Sequence, residues 1–545
     1  MEKNQLIELT IKDQSQDGRG IASCDGLIVF AEGCVVGDRV SARLTKIKKR
    51  YALARVEEIL EPSEFRKKDV CLYIDECGGC AFGKLKYEKQ LELKERHVRD
   101  VLERIGGVES PEIEPIISMS EPYFYRNKAR LAIHPKTRSV GFLGRMSHRV
   151  IDCHECRLQS EPVVAVADAL RYSFDECEDA KKIKNLVVKT SFNSGEVMVV
   201  PTVEEKDVDL ESFIYAVDES INAIPSFDDG FEYYLSSVAL DIADNKPSKQ
   251  HLNRAEIIAG RHVIEDEMLG LRFEISPYSF YQVNPVQAER LYEKAVEYAG
   301  IKGGETVLDL YCGVGTIGLF MAKAGAAKVI GIEIVKEAVL NANRNAVING
   351  IVNAIYYTGK AEEELPRLRE EGEIEKADVV ILDPPRKGCD EALLKAVMET
   401  EADRIVYISC DPATLSRDIK YLSENGYEYV KGTPVDMFPH TGHVETVALL
   451  SKLNVDKHIS VEVELDELDL TSAESKATYA QIKEYILEKF NLKVSTLYIA
   501  QIKKKCGIVL REHYNKSKKE KQVIPQCTPE KEEAIMDALK HFKMI

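Results

Sequence analysis

The sequence predicts a multidomain α/β protein, and four stretches of different pattern support this prediction. Residues 307–320, VLDLYCGVGTIGLF, combine an apolar strand, a glycine turn and a helix start, which is typical of a parallel sheet covered by helices. Residues 1–60 alternate short apolar runs with glycines, which favours a small β-barrel. Residues 84–105 have apolar residues at helical spacing, so we expect an amphipathic helix within a central α+β region. After residue 456 an acidic run leads into further helix patterns, which indicates a small helical appendage.

Length and composition fit several domains of a globular protein. The 545 residues are enough for roughly three or four domains. Of these residues 44% are hydrophobic, yet no apolar run is long enough to cross a bilayer. The first residues, MEKNQLIELTIKDQ, lack an apolar signal segment, so we expect a cytoplasmic protein with no membrane partner. We therefore expect the 13 cysteines to be catalytic, metal-binding or buried rather than paired in disulfides.

The predicted N-terminal barrel carries a cluster of cations around Tyr51. A basic and aromatic surface of this kind suits single-stranded RNA, although a solvated hairpin can carry the same charges. The formal net charge of −17 does not exclude RNA, because charges beyond about 8 Å are screened at physiological salt. The clustered cations are Arg43, Lys46, Lys48, Lys49, Arg50 and Arg55.

Three closely spaced cysteines indicate a metal or iron–sulfur site. Cys71, Cys77 and Cys80 include a Cys-Gly-Gly-Cys turn, in which glycines let the two sulfurs face one point and leave amides free to bond sulfur. Such a group needs a fourth ligand, and Cys153 and Cys156 are the candidates. Zinc accepts the same ligands, so the spacing leaves zinc and an iron–sulfur cluster both open.

A charged strand is expected in the central region. Residues 123–133, YFYRNKARLAI, alternate like a strand with Arg126, Lys128 and Arg130 on one face. Residues 141–150 are the expected partner strand. Three cations on one face suit an RNA backbone, and charges that protect a sheet edge are the alternative.

Polar residues end several apolar strands after the glycine loop. Glu333 ends the run VIGIE, Asp383 follows another apolar run, and Cys410 follows residues 404–409. Because the carboxyl ends of parallel strands meet at one edge of a sheet, we expect these residues and Asp309 to converge there. An acid at the end of the second strand can hold a ribose diol, while the glycine loop lets backbone approach a ligand.

Further polar residues are expected at the same edge. Gln282 is a polar residue in the apolar and aromatic stretch SPYSFYQVNPVQ, which precedes the predicted sheet. Arg386 and Lys387 follow Asp383 and suit a phosphate group. Glu445 lies in the last predicted strand, directly after His443 and Val444.

Together these segments resemble a known enzyme family. YQVN, LDLYCGVGTIG, ILDPPRKG, SCDPATLSRD and HVETVALL resemble the S-adenosylmethionine-dependent RNA 5-methyluridine methyltransferases. DGRGIASCDGLIVF and GCVVGDRV resemble the TRAM domain, an OB-like RNA-binding barrel. With these segments and the cysteines, the resemblance is greatest to the 23S rRNA uracil-5-methyltransferase branch and covers roughly residues 1–452.

The resemblance divides the chain into four parts. They are a TRAM barrel (1–61), a central RNA-binding domain with the cysteine cluster (62–265), a Rossmann-like class I methyltransferase domain (266–453) and a helical, basic extension (454–545).

The resemblance also implies a covalent mechanism. Cys410 is the expected nucleophile, adding to carbon 6 of uracil, and Glu445 is the expected base that removes the carbon 5 proton. Cys312 and Cys389 are read as packing or loop residues. Three roles are open for Asp383: it lies near the transferred methyl group, it orients the uracil, or it caps the end of its strand. The residues expected to bind S-adenosylmethionine are Gln282, Tyr311, Gly313, Glu333 and Asp383.

For the cysteine group, the resemblance favours a 4Fe–4S cluster, with zinc as the alternative. Cys156 is the expected fourth ligand, because Cys156-Arg157-Leu158-Gln159 resembles the family's Cys-x-Leu-x segment, and Cys153 is its rival. Lys360 departs from the family, since many relatives carry Asp or Asn towards the adenine amino group and a lysine cannot accept that hydrogen bond.

The protein is expected to be a monomer whose partner is RNA. The resemblance favours 23S rRNA as the substrate, and the tRNA T-loop uridine is the alternative. An RNA-binding or ribosome-assembly factor without catalysis is a rival from another class. A dinucleotide-dependent oxidoreductase is a third, but no hydride-transfer site accompanies the glycine loop. The extension is expected to be a nucleic-acid-binding appendage or a solvated basic stretch; its cations include Lys503, Lys504, Lys505, Arg511, Lys516, Lys518, Lys519 and Lys521.

Overall fold

The computed structural model describes most of the chain and divides it into two compact units, Met1–Asn454 and Val455–Ile545. In the described part of the chain, no helix combines the length and the apolar character that a membrane crossing requires. The described residues are 1–145, 147–226, 231–243, 255–453, 479–490, 492, 499, 502, 505–506 and 529–542.

The first sheet has six strands in the order β1-β5-β6-β4-β3-β2. Alternating residues such as Leu9, Val29 and Leu44 are buried on one face and form an apolar core. Four of the strands were expected, whereas β2 and β3 were not, because GIASC has small residues without a clear apolar pattern. The strands are β1 Leu6–Thr10, β2 Asp13–Gln14, β3 Gly20–Cys24, β4 Leu27–Glu32, β5 Arg39–Ile47 and β6 Tyr51–Glu61.

Helix α1 (Tyr87–Val101) follows the three cysteines and continues as a π-helical turn, Leu102–Gly106. The predicted amphipathic helix is therefore confirmed. Its buried face includes Leu93, Lys94 and Val98.

The second sheet has seven strands in the order β13-β12-β11-β10-β7-β8-β9. The prediction of a strand over 123–133 is wrong for its first part, because β7 begins at Lys128. Phe124 takes a left-handed backbone with φ 51°, which interrupts an extended strand. The elements are β7 Lys128–Ile133, β8 Val140–Leu143, β9 Val150–Asp152, α2 Glu161–Glu176, β10 Asn185–Thr190, β11 Glu196–Val203, α3 Glu211–Asn222, β12 Tyr234–Ile242 and β13 Glu256–Gly260.

The third sheet also has seven strands, in the order β18-β17-β16-β19-β20-β22-β21, and follows a hairpin of β14 Ile264–Met268 and β15 Leu271–Ile275. The strands are β16 Thr306–Leu310, β17 Lys328–Glu333, β18 Ala354–Thr358, β19 Val379–Leu382, β20 Arg404–Ser409, β21 Tyr427–Val435 and β22 Glu445–Lys452. The helices are α4 Pro285–Ala299, α5 Thr316–Lys323, α6 Lys336–Ile348, α7 Ala361–Glu370, α8 Glu391–Glu399 and α9 Pro412–Ser423.

The third sheet is mixed, so the expectation of a purely parallel sheet is wrong. Strand β22 runs antiparallel to β20 and to β21. Because β22 is reversed, its first residue, Glu445, lies at the edge where the parallel strands end.

The second unit contains two described helices, α10 (Tyr479–Phe490) and α11 (Pro529–His541). Ile482 and Ile486 of α10 share an apolar cluster with Ile535 and Leu539 of α11. The second predicted helix and the basic run after it lie largely outside the described residues. Of those cations, Lys505 is described and forms an ion pair with Glu532.

A buried ion pair joins α1 to the connection between β21 and β22, residues 436–443, which we call the bridging segment. The side chains of Lys94 and Asp436 are 1% and 0% exposed. The Tyr87 hydroxyl donates to the second carboxylate oxygen of Asp436 at 2.7 Å. The Lys94 ammonium also donates to the Phe438 carbonyl at 3.0 Å. Because a buried charge is stable only with its partner, α1 fixes the bridging segment.

Asp436→Ala should therefore destabilise the protein strongly, because it leaves Lys94 buried and uncompensated. We expect the free energy of unfolding to fall by about 3–5 kcal/mol, measured from the shift of the denaturant midpoint. Adding Lys94→Met should recover much of the loss. Glu92→Ala is the control, since Glu92 pairs with Lys89 at the surface. A midpoint shift for Asp436→Ala as small as that of Glu92→Ala would contradict the role of the buried pair.

Candidate functional site

The glycine loop between β16 and α5 has an unusual backbone, and the N–H groups of Tyr311, Cys312 and Gly315 donate to backbone carbonyls. Gly313 and Gly315 have φ values of 56° and 82°, and Tyr311 adopts the left-handed region with φ 64°. The N–H of Gly313 donates to Glu333 Oε2 at 3.3 Å, and the N–H of Val335 donates to Glu333 Oε1 at 2.8 Å. The Glu333 carboxylate is thus held between the loop and the end of β17.

Asp309 supports the same loop from inside the sheet. Its Oδ2 accepts a hydrogen bond from the N–H of Gly318 at 2.8 Å. Burial, with the charges of Asp383 and Glu333, raises the pKa of Asp309 to about 7. Asp309 lies one residue before the end of β16, close to the expected position, but does not line the cleft described below.

Tyr356 of β18 supports the loop from beneath. Its hydroxyl donates to the Gly315 carbonyl at 3.2 Å. Its ring lies across Gly331 of β17, where a Cβ atom would come within 2.2 Å of the ring. The glycine in that buried strand is therefore required by the aromatic ring beside it.

A cleft of about 1120 Å³ opens at this edge of the sheet. Its size suits a nucleoside cofactor together with a nucleobase. The sequence prediction missed several lining residues, among them Tyr292 and Phe438, because aromatic residues at helix or loop positions read as core. The predicted residues that line the cleft are Gln282, Tyr311, Gly313, Glu333, Asp383, Arg386, Lys387, Cys410 and Glu445.

The positions of Cys410 and Glu445 follow from the pairing of β20 with β22. The antiparallel register pairs Ser409 with Thr446, so Cys410 and Glu445 are the next residues at that edge. Burial and the negative charge of Glu445 raise the pKa of the Cys410 thiol to about 11, while the Arg386 guanidinium opposes this shift. A pKa in this range favours the protonated thiol at neutral pH.

The carboxyl groups of buried Glu445 and half-buried Asp383 both line the cleft. Burial and the charge of Asp383 raise the pKa of Glu445 to about 8, and Arg386 opposes this shift. Burial raises the pKa of Asp383 to about 7. Carboxyl groups with such pKa values can accept and return protons near neutral pH.

The predicted RNA-contacting cations occupy different places. Arg386 and Lys387 are exposed beside the cleft, and the Arg386 guanidinium lies 3.5 Å from His443 Nε2. Lys128 and Arg130 project from β7. Arg126 precedes that strand, and its guanidinium lies 5.9 Å from the ring centres of both Tyr125 and Phe438. The three central cations therefore do not form a single row on one strand.

Five thiols line a second cavity of about 50 Å³, which we call the cysteine cavity. They belong to Cys71, Cys77, Cys80, Cys153 and Cys156. The Cys153 thiol donates to the Glu155 carbonyl at 2.8 Å.

The lining of the cysteine cavity includes hydrogen bonds from backbone amides to sulfur. Backbone N–H groups donate to two of its sulfurs, from Tyr73 to Cys71 and from Gly79 to Cys77, both at 3.4 Å. Amide donors of this kind stabilise the sulfurs of iron–sulfur groups. Across the described ranges, no three ligating side chains lie close enough together to hold one metal ion.

Comparisons with known proteins extend over most of the chain. The sequence profile of the tRNA (uracil-5-)-methyltransferase family matches residues 86–453, and that of the TRAM domain matches residues 2–56. An uncharacterised RNA methyltransferase of Caldanaerobacter subterraneus subsp. tengcongensis is 40% identical over 457 residues, covering 82% of this chain and 98% of the relative. Another uncharacterised RNA methyltransferase, of Halalkalibacterium halodurans, is 38% identical over 462 residues, with coverages of 83% and 98%.

A solved structure supports the same assignment. The Pyrococcus abyssi tRNA (uracil-54, C5)-methyltransferase in complex with S-adenosyl-L-homocysteine is 27% identical, with a TM-score of 0.62, and the match covers 82% of this chain and 100% of that one. The resemblances to the RNA 5-methyluridine methyltransferases and to the TRAM domain are confirmed. This chain belongs to the tRNA (uracil-5-)-methyltransferase family and is an S-adenosylmethionine-dependent RNA methyltransferase with an N-terminal TRAM domain.

Proposed function

We propose that the protein methylates carbon 5 of a uridine in RNA through a covalent adduct with Cys410. The observation that carries this proposal is the juxtaposition of Cys410 and Glu445 at the ends of paired strands, in the cleft that also contains Glu333. A nucleophile and a base beside a nucleotide-sized site are the parts that this chemistry needs.

Carbon 5 of uracil is a weak nucleophile, so the protein must activate the ring. The Cys410 thiolate adds to carbon 6, and the electron pair of the ring double bond moves to give an enolate with charge at carbon 5. S-adenosylmethionine, when bound, supplies an electrophilic methyl group that carbon 5 takes up. Glu445 then removes the proton from carbon 5, the double bond re-forms, and the thiolate of Cys410 leaves carbon 6.

The neutral Cys410 thiol must lose its proton to solvent before it attacks, and Glu445 stays free to take the proton from carbon 5. Arg386 favours the anionic forms of both Cys410 and Glu445, because its charge lowers the pKa of each. We propose that Arg386 and Lys387 also hold a phosphate next to the target uridine, since both are exposed at the cleft.

We propose that five residues hold S-adenosylmethionine, with Glu333 on the ribose hydroxyls and the glycine loop amides nearby. The ammonium of Lys360, the residue before α7, pairs with Glu363 in the first turn of that helix at 2.6 Å. Adenine contacts from this loop are therefore left to backbone groups of residues 359–362, which line the cleft. The five proposed residues are Gln282, Tyr311, Gly313, Glu333 and Asp383.

We propose that the cysteine cavity holds a 4Fe–4S cluster. Its ligands would be Cys71, Cys77, Cys80 and Cys156, since the Cys153 thiol already donates to the Glu155 carbonyl. A thiol that keeps its proton in a hydrogen bond to a backbone carbonyl is suited to stay outside the ligand set, because metal ligands are thiolates. Methyl transfer contains no redox step, so the cluster would have a structural role.

The proposed substrate is a loop uridine of 23S rRNA. This choice rests on the resemblance to the branch with a TRAM domain and four cysteines. The second candidate is a tRNA uridine, because the matched Pyrococcus abyssi structure is a tRNA (uracil-54, C5)-methyltransferase. Both are folded RNAs from which a uridine can be extruded into a cleft.

Methylation assays on unmodified 23S rRNA and on unmodified tRNA distinguish the two candidate substrates. With labelled S-adenosylmethionine, we expect label in 5-methyluridine of the 23S rRNA digest and not of the tRNA digest. Label found only in the tRNA digest would show that the substrate is tRNA rather than 23S rRNA. Label in neither RNA, or in another base, would overturn the proposed reaction on these substrates.

Cys410→Ala should abolish both methyl transfer and the covalent complex with RNA that contains 5-fluorouridine, because no other thiol is expected to reach carbon 6. Denaturing electrophoresis measures this complex directly. Cys389→Ala is the matched control: Cys389 is a buried cysteine that accepts a hydrogen bond from the Tyr407 hydroxyl, and its variant should still form the complex. An adduct in the Cys410 variant would show that a different thiol attacks.

Glu445 can take the carbon 5 proton only when its carboxyl is ionised. Since its pKa is raised to about 8, release of methylated RNA from the adduct should speed up as the pH rises through about 8 and then level off. Glu445→Gln should slow release by roughly 10²–10⁴-fold, let the methylated adduct accumulate and remove this pH dependence.

Single-turnover quenching at several pH values measures the release step. Glu428→Gln changes an exposed glutamate of β21 and should preserve the pH profile. Rapid release from the Glu445 variant would exclude Glu445 as the base.

A further inference from the structure

His440, in the bridging segment, is held tightly by both of its backbone groups. Its N–H donates to Gln90 Oε1 at 2.9 Å, and its carbonyl accepts from the N–H of Phe82 at 2.9 Å. Its φ of 66° lies in the left-handed region, a conformation that a non-glycine residue keeps only when its surroundings enforce it. The residue is 4% exposed, so the position of its imidazole is fixed by the core around it.

The Gln90 amide also determines which ring nitrogen of His440 carries the proton. Gln90 Oε1 already accepts from the His440 backbone, so the facing amide group is Nε2, a donor. This Nε2 lies 3.1 Å from His440 Nδ1 and 2.9 Å from the Leu85 carbonyl. His440 Nδ1 must therefore accept, which leaves the ring proton on Nε2.

That Nε2–H group is buried and has no hydrogen-bond partner among the described residues. His440 and Tyr123 both line the cysteine cavity, and their rings stack with centroids 4.6 Å apart. The Pro122 carbonyl lies near enough to influence the imidazole but does not form a hydrogen bond with Nε2. An unpaired buried donor costs about 1–3 kcal/mol, so the position indicates an acceptor that occupies the cavity.

We propose that His440 donates an Nε2–H···S hydrogen bond to a sulfur atom of the iron–sulfur cluster and so ties the cluster to the bridging segment. This inference rests on the cluster suggested above. His440 is a positioning residue: the segment that contains it leads directly to Glu445, and Phe438 of the same segment lines the catalytic cleft. The cluster then acts as an anchor for the catalytic base.

A donor to cluster sulfur leaves signatures that a purely structural histidine does not. It couples a nitrogen nucleus weakly to the reduced cluster, and it raises the reduction potential by stabilising the added electron. Both are measured on the full chain, purified anaerobically, reconstituted with iron and sulfide, and labelled with ¹⁵N-histidine. Matched samples are wild type, His440→Phe and His262→Phe, the last at an exposed histidine.

We expect a weak ¹⁵N coupling and an exchangeable proton near the reduced cluster in wild type and in His262→Phe. Both signals should be lost in His440→Phe, together with a lower reduction potential. If His440→Phe does not retain a cluster, the wild-type spectrum alone decides, because it shows the coupling or lacks it.

Two outcomes with an intact cluster would overturn the inference: no ¹⁵N coupling, or the strong coupling of nitrogen bound directly to iron. Zinc, or iron without sulfide, in the purified and reconstituted protein would instead overturn the proposed cluster. That outcome is read from metal and sulfide analysis, so the two failures are distinguishable.

Discussion

Strand β22 runs against its neighbours β20 and β21, and the candidate active site depends on this reversal. In a parallel continuation, the first residue of β22 would lie at the opposite edge of the sheet from Cys410. The reversal brings a carboxyl group from the end of the domain against a thiol contributed by β20. Both then lie in a region of low dielectric, where a single nearby charge shifts a pKa strongly. The backbone pairing of β20 with β22 therefore also positions the thiol of Cys410 and the carboxyl group of Glu445.

Several separate regions of the first unit contact the bridging segment before β22. Asp436 is buried against Lys94 of α1, and the Tyr125 hydroxyl donates to the Pro439 carbonyl at 3.0 Å. A side chain at Gly442 would collide with the Gln16 carbonyl of the N-terminal part, with a Cβ only 2.1 Å away. The N-terminal part, the cysteine-bearing region and α1 thus converge on the residues that lead into Glu445. Arrangements of this kind keep a catalytic group in place while a large substrate moves around it.

Much of this fold and site could be predicted from the sequence. Continuous apolar runs identified β16, β17 and β20, and the polar residue after each run indicated which edge of the sheet to examine. The direction of β22 could not be predicted, because an apolar run has no direction and only the long-range pairing fixes it. The strand before Lys128 was predicted from alternation alone, which does not register a left-handed residue such as Phe124. The role of His440 could not be predicted from the sequence, since it depends on a contact with Gln90, which lies 350 residues away in the chain.

Tyr356 and Gly331 illustrate how such tertiary contacts constrain sequence change. The ring occupies the space that any side chain at 331 would need, and its hydroxyl supports the loop that surrounds the cofactor site. A larger residue at 331 is tolerable only if the aromatic residue at 356 becomes smaller, and a smaller residue there removes the support of Gly315. We therefore expect these two positions to covary across homologous sequences. The combined volume of the two side chains should be conserved more strongly than either residue alone.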